Sequence, residues 1–313
     1  MEQRTLGKSG LLVSVVGLGC NNFGGRTDLE TSRKVIHKSL DLGITLLDTA
    51  DIYANKGGSE TVLGEVLGDR RKDIVLATKF CGPMNEAGTL KGASRRYIMT
   101  AVEASLKRMK TDWIDLYQIH MPDPLTPMEE TLRALDDLVQ SGKVRYVGCS
   151  NHKAWQVTEA EWISRRDGIE RFISCQDEYS LIVRDAEKEL IPAMETYGIG
   201  LLPYFPLASG MLTGKYKHNA PMPEKARLSY VQNLADRYLT DANWQTVEKL
   251  TDFAGKRGKT ILELAFSWLA GRPTVASVIA GATRPEQVEQ NVTAASWKLS
   301  AEDIAEIDKL SGR

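Results

Sequence analysis

Eight short apolar runs recur along the chain: VSVVGLGC (13–20), ITLLDTA (44–50), DIVLATKF (73–80), DWIDLYQIH (112–120), VRYVGCSN (144–151), FISCQDEYS (172–180), GIGLLPYFPL (198–207) and VASVIAGAT (275–283). Amphipathic stretches with helical spacing stand between them, at residues 31–42, 60–67, 94–109, 127–139, 154–166, 185–197, 260–270 and 285–294. Ser94 is placed to cap one of these helices, and Pro127 opens another in its first turn. Strands apolar on both faces, each followed by a helix, predict parallel pairing with helices on the outside. Eight such units make an α/β fold of the (β/α)8 or TIM-barrel type, here read as one domain over 1–313, with its site at the C-terminal ends of the strands. A doubly wound sheet would want a G-x-G-x-x-G turn, and GLGCNNFG (17–24) has the wrong spacing. The turn at Lys8-Ser9-Gly10 predicts an N-terminal β-hairpin. Residues 208–237 read as a long loop of the kind that covers a ligand. Residues 239–258 and 300–310 add extra C-terminal helices.

Composition narrows the function. The chain has 313 residues, 42% of them hydrophobic, and a formal net charge of -1. That balance argues against a general nucleic-acid binder, so any bound phosphate must be held by local cations and backbone amides. No apolar run is long enough to span a membrane. Cys20, Cys81, Cys149 and Cys175 form no C-x-x-C pair, which fits reduced thiols in a cytoplasm better than a zinc motif or a disulfide framework. No metal site is expected. No heptad or obvious apolar patch fixes the number of subunits.

The strand ends carry the candidate chemistry. Asp48 ends the second run, Lys79 the third and His120 the fourth, and Tyr53 follows five residues after Asp48. Taken singly, each has an ordinary explanation: a cap, a snorkelling lysine, a hydrogen-bonded histidine, a rim tyrosine. Together at one barrel mouth they are harder to dismiss, because each isolated buried charge is expensive. Asp48 offsets the charge of Lys79, and the Lys79 ammonium is expected to lower the pKa of Tyr53 toward neutrality, fitting it for general acid–base work. His120 is placed to orient a substrate oxygen. Such a set has no source of electrons of its own, so it needs a bound hydride carrier.

With these residues in view, the sequence resembles the aldo-keto reductases nearly end to end. The family's Asp, Tyr, Lys and His tetrad falls on Asp48, Tyr53, Lys79 and His120. The resemblance implies reduction of an aldehyde or ketone, with Tyr53 protonating the oxygen while NADPH delivers hydride, and the reverse reaction from NADP+. Family members that reduce steroid carbon–carbon double bonds carry Glu in place of the His, so His120 implies carbonyl chemistry. VGCSN implies that Ser150 and Asn151, with Gln176, hold the nicotinamide carboxamide, and Tyr204 stands where an aromatic ring stacks on the nicotinamide. PLASGMLTGKY (206–216) resembles the loop that wraps the pyrophosphate, implying Pro206, Leu207, Ser209, Gly210 and Lys215. IAGATRPEQVEQN (279–291) resembles the adenosine-phosphate segment. There Gly281 and Ala282 bring backbone amides to phosphate, Arg284 meets a 2′-phosphate, and Gln287, Gln290 and Asn291 lie near adenine. An arginine at that place implies NADPH over NADH.

The departures fall mostly on the substrate side. Met121 follows His120 where many relatives carry Trp or Arg, Phe205 replaces a usual Ser, and no glycine follows Tyr53 in YANK (53–56). The small-molecule carbonyl substrate therefore stays unnamed. A second reading is a regulatory or redox-sensing subunit that binds nicotinamide nucleotide, as in the channel-associated beta subunits the sequence also resembles. All four cysteines fall at or beside strand C-termini; they read first as small apolar strand residues and second as thiols, such as Cys20 or Cys81, whose alkylation would inhibit.

Overall fold

The fold is taken from a computed structural model, which describes residues 1–224 and 226–312. Eight strands form one parallel sheet: β3 (Val16–Gly19), β4 (Leu46–Asp48), β5 (Val75–Phe80), β6 (Ile114–Ile119), β7 (Val144–Ser150), β8 (Ser174–Glu178), β9 (Gly200–Tyr204) and β10 (Val278–Gly281). Each pairs with the next in chain order, and β10 returns to pair with β3. A bridge between Leu201 and Val275 closes the seam between β9 and the approach to β10. The expected (β/α)8 barrel is therefore formed. Its strands are buried on both faces, which is why they read as unbroken apolar runs.

The barrel helices are α1 (Leu29–Asp41), α2 (Tyr53–Val66), α3 (Arg95–Met109), α4 (Met128–Gln140), α5 (Ala154–Asp167) and α6 (Leu190–Tyr197). After β9 come α7 (Gln232–Tyr238), α8 (Asp241–Gly255) and α9 (Ile261–Ala270), with α10 (Pro285–Ala294) and α11 (Ala301–Leu310) after β10. Three boundaries differ from expectation. Pro127 is the N-cap of α4 rather than a residue of its first turn. The helix expected at 185–197 is regular only from Leu190. The long loop after β9 is partly ordered into the short 3-10 turns Ala208–Thr213 and Arg227–Ser229 and into α7. Ser94 caps α3 as read, and Ser300 caps α11.

Two apolar clusters divide the interior. The larger lies between strands and helices. The smaller fills the barrel's lumen with Leu46, Val75, Ala77, Leu116, Leu202 and Ile279. Leu6 and Val13, from the hairpin of β1 (Gln3–Thr5) and β2 (Leu12–Ser14), pack into that same cluster with no exposed surface. The hairpin thus plugs the N-terminal end, and the polar side chains are left to the other.

Candidate active site

Parallel register brings the C-terminal strand ends level, with Asp48 beside Ala77 and Lys79 beside Gln118. Lys79 is fully buried, and its Nζ donates to Asp48 Oδ2 at 2.6 Å and to the Thr49 carbonyl at 2.8 Å. The other carboxylate oxygen, Oδ1, accepts from Gln176 Nε2 at 3.0 Å and Gln118 Nε2 at 3.2 Å. Both ions are thereby paired and hydrogen-bonded, the condition under which charges survive burial. Burial alone would pull Lys79 down, but Asp48 and Tyr53 outweigh it and hold the ammonium above its ordinary pKa. Asp48 is a buried counter-charge and caps no helix.

Tyr53 stands over this pair. Lys79 Nζ lies 5.2 Å from its ring centroid, and the His120 ring meets it edge-on at 5.6 Å and 81°. Here the sequence expectation needs correcting. Burial raises the Tyr53 hydroxyl above its ordinary pKa, and Lys79 recovers only part of that rise. Tyr53 is therefore a protonated phenol at neutral pH, an acid ready to donate rather than a phenolate. Burial first, and Lys79 second, push His120 down to about 3. Its imidazole is neutral, and Nδ1 has no hydrogen-bond partner among the described residues.

A groove of about 950 Å³ runs from Tyr53 and His120 across the barrel mouth to the start of α10. Its walls carry Asp48, Ser150, Asn151, Gln176, Tyr204, Pro206, Leu207, Ser209, Gly210, Lys215, Gly281, Arg284, Gln287, Gln290 and Asn291. Of the residues picked out from sequence, only Lys79 and Ala282 lie behind the wall, Lys79 beneath Tyr53 and Ala282 against the side chain of Asn22. Some amides are already committed. Asn151 Nδ2 donates to the His120 carbonyl and to Ser150 Oγ, while Asn151 Oδ1 accepts from the Tyr204 hydroxyl at 2.8 Å. Gln287 Oε1 accepts from the Thr283 amide at 2.8 Å. Two further cations line the groove, Arg26 after β3 and Arg227 in the long segment after β9. Arg26, Lys215 and Arg227 form no salt bridge with the described residues, and Arg284 has only Glu286 at 3.9 Å. Burial, then Arg26, Arg227 and Arg284, lower the pKa of Lys215. Four cations against Glu224 on the same wall and Glu286 beside Arg284 leave a net positive stretch that suits a polyanion.

A family model described as the aldo/keto reductase family matches residues 15–311. The chain belongs to the aldo/keto reductase family. It is 38% identical over 301 residues to a probable voltage-gated potassium channel subunit beta of Oryza sativa subsp. japonica, covering 94% of this chain and 91% of that one. It is 35% identical over 319 residues to an L-glyceraldehyde 3-phosphate reductase of Escherichia coli (strain K12), covering 99% and 92%. An uncharacterized oxidoreductase of Bacillus subtilis (strain 168) is 34% identical over 313 residues, with 96% and 93% covered. Membership places the chain among oxidoreductases, in a family that generally uses nicotinamide cofactors.

The groove of this aldo/keto reductase fits such a group. Ser209 Oγ and Asn22 Oδ1 are buried on its wall without a hydrogen-bond partner among the described residues, and the cations there outnumber the carboxylates beside them. Sequence reading missed Gln118, which looks like an ordinary polar residue inside a strand, and Arg26 and Arg227, which sit in loops with no periodic pattern. The thiols fit the reading as small apolar strand residues better than that as alkylation targets. All four are buried. Burial pushes Cys20 well up and Cys81 up to about 12, so little thiolate is available to an alkylating agent. Among the described residues no cluster of His, Cys, Asp or Glu is placed to hold a metal ion, and no helix is long and apolar enough to cross a membrane.

Proposed function

We propose that this protein is an NADPH-dependent carbonyl reductase that interconverts an aldehyde or ketone with its alcohol. The observation that carries the reading is the Tyr53 ring above the buried Lys79–Asp48 pair, opening on a groove lined by four cations. Bound NADPH would supply hydride. Lys215, Arg26 and Arg227 would hold its pyrophosphate and Arg284 its 2′-phosphate, with Ser150, Asn151, Gln176 and Tyr204 around the nicotinamide.

The chain's own groups do the rest. Neutral His120 directs the carbonyl oxygen toward Tyr53, and Tyr53 gives its proton to that oxygen as charge develops. Lys79, pinned by Asp48, stabilises the phenolate left behind. In oxidation the phenolate takes the proton back from the alcohol.

The decisive experiment follows NADPH absorbance against a panel of aldehydes and ketones. Multiple turnovers are expected on at least one member. Tyr53→Phe should lower kcat by about a thousandfold or more while leaving NADPH affinity within about threefold. A large loss of binding would contradict the role given to Tyr53. The resemblance to potassium channel beta subunits favours a second reading, a nucleotide-binding regulatory subunit. NADPH binding with no turnover on any carbonyl would favour it.

A further inference from the structure

The turn that carries Tyr53 rests on a buried charge cluster that takes no part in the chemistry above. Ala54, Asn55, Lys56 and Gly57 have φ of 52°, 58°, 64° and 114°. Three non-glycine residues in succession thus occupy the left-handed region, where an L side chain crowds the following carbonyl. Such a run persists only where its surroundings over-determine it. The surroundings are specific. Arg108 of α3 lies against Gly57, where an added Cβ would sit 2.5 Å from Arg108 Cδ. Arg108 Nε donates to Glu60 Oε2 at 2.6 Å. Glu60 is fully buried and accepts at Oε1 from Thr78 Oγ1 at 2.5 Å. Thr78 precedes Lys79, and the Asp51 amide donates to the Lys79 carbonyl at 3.0 Å. A continuous set of contacts therefore joins the strand that bears Lys79 to the turn that bears Tyr53.

Asp51 completes the cluster. It is 1% exposed, and the neighbouring Tyr97 hydroxyl and Ile52 amide oppose its protonation only in part. It faces Glu60 from α2, Arg108 and Tyr97 from α3, Tyr117 from β6 and Cys81 beyond β5. Glu60 holds the ion pair with Arg108, and Asp51 feels the same guanidinium through space without pairing with it. Burial, with Glu60 adding to it, pushes Asp51 up to about 7. Neither Tyr53, held above its ordinary value, nor His120, at about 3, changes charge near there.

We propose that Asp51, Glu60 and Arg108 position the active-site tyrosine. While Asp51 is uncharged, Arg108 is committed to Glu60 and clamps the left-handed turn; when Asp51 is charged, it competes for Arg108, repels Glu60 and loosens the clamp. These three are positioning residues, acting on the reaction only through Tyr53.

The test compares the full-length protein with Asp51→Asn and Arg108→Lys, by two readouts. One is kcat for 4-nitrobenzaldehyde at saturating NADPH; the other is amide hydrogen exchange across residues 49–63, corrected for intrinsic chemical rates. In the wild type, kcat should fall about threefold between roughly pH 6 and pH 8 while exchange quickens by a similar factor. Asp51→Asn should abolish both limbs and leave the KM for NADPH within about twofold. Arg108→Lys, which keeps charge but loses the planar fork, should lower kcat about tenfold at either pH and speed exchange. Unchanged limbs in Asp51→Asn, or wild-type exchange independent of pH, overturn the proposal. The kcat arm rests on the reductase reading; the exchange arm does not. If no carbonyl is turned over, exchange decides alone, and if Arg108→Lys fails to fold, the Asp51→Asn comparison decides.

Discussion

At Tyr53 two electrostatic effects oppose one another, and burial is the larger. A phenol held above its ordinary value of about 10 keeps its proton through the neutral range. Carbonyl reduction, which consumes that proton, should therefore hold a plateau in Tyr53 ionisation well past about pH 9, whereas alcohol oxidation should climb with pH without levelling. Rates in both directions at saturating cofactor check this in Asp51→Asn, which removes the Asp51 limb, and an alkaline fall in its reduction near pH 8 would contradict it. Removing the cation beneath is a harsher change. Lys79→Met strands the Asp48 carboxylate in the barrel, and about 3–5 kcal/mol of stability should be lost, readable as a lower urea midpoint. Arg284→Ala should act on the nucleotide alone, weakening NADPH about tenfold or more while leaving NADH nearly unchanged. Equal effects on both would place the 2′-phosphate elsewhere.

At the scale of the element, the turn opening α2 shows how a strained segment is kept. Gly57 is the one residue of residues 54–57 without a Cβ, and the space a Cβ would need is filled by Arg108. Gly57→Ala should cost about 2–3 kcal/mol, from φ of 114° and from overpacking together. Its kcat should fall with little change in NADPH affinity, because the nucleotide groove is built from other elements. Calorimetry and steady-state kinetics check the two parts separately. None of this was legible beforehand. Glu60 and Arg108 are 48 residues apart in sequence, and each reads as a solvated helix position. The absent glycine after Tyr53 was visible as a departure, but its meaning, three L-residues forced left-handed, needed the backbone. The segment after β9 likewise read as loop because α7 is short and lacks a side-chain cap.

For the whole molecule, buried groups set opposing dependences of stability on pH, with His152 siding with His120 and Asp177 with Asp51. Below about pH 6.5 an unfolded chain protonates its imidazole, while folded His120 stays neutral down to about 3, so stability falls as pH falls. Asp51 acts in reverse: from about pH 4 to about 7 the folded state keeps a proton that the unfolded chain has released, so stability falls as pH rises. In the shared window the two slopes offset. Asp51→Asn should leave stability rising with pH there, and His120→Asn should leave it falling; urea midpoints across that window measure both, and parallel slopes in the two variants would contradict the assignment. The fold itself was readable because strands buried on both faces leave unbroken apolar runs, and the tetrad because it sits at their ends. Gln118, Arg26 and Arg227 were not, since nothing in a linear pattern shows which polar residues meet across a barrel. The hairpin plug has one more consequence. With Leu6 and Val13 packed onto an already filled lumen, one end of the barrel is closed by apolar side chains, and any ligand must approach from the opposite mouth.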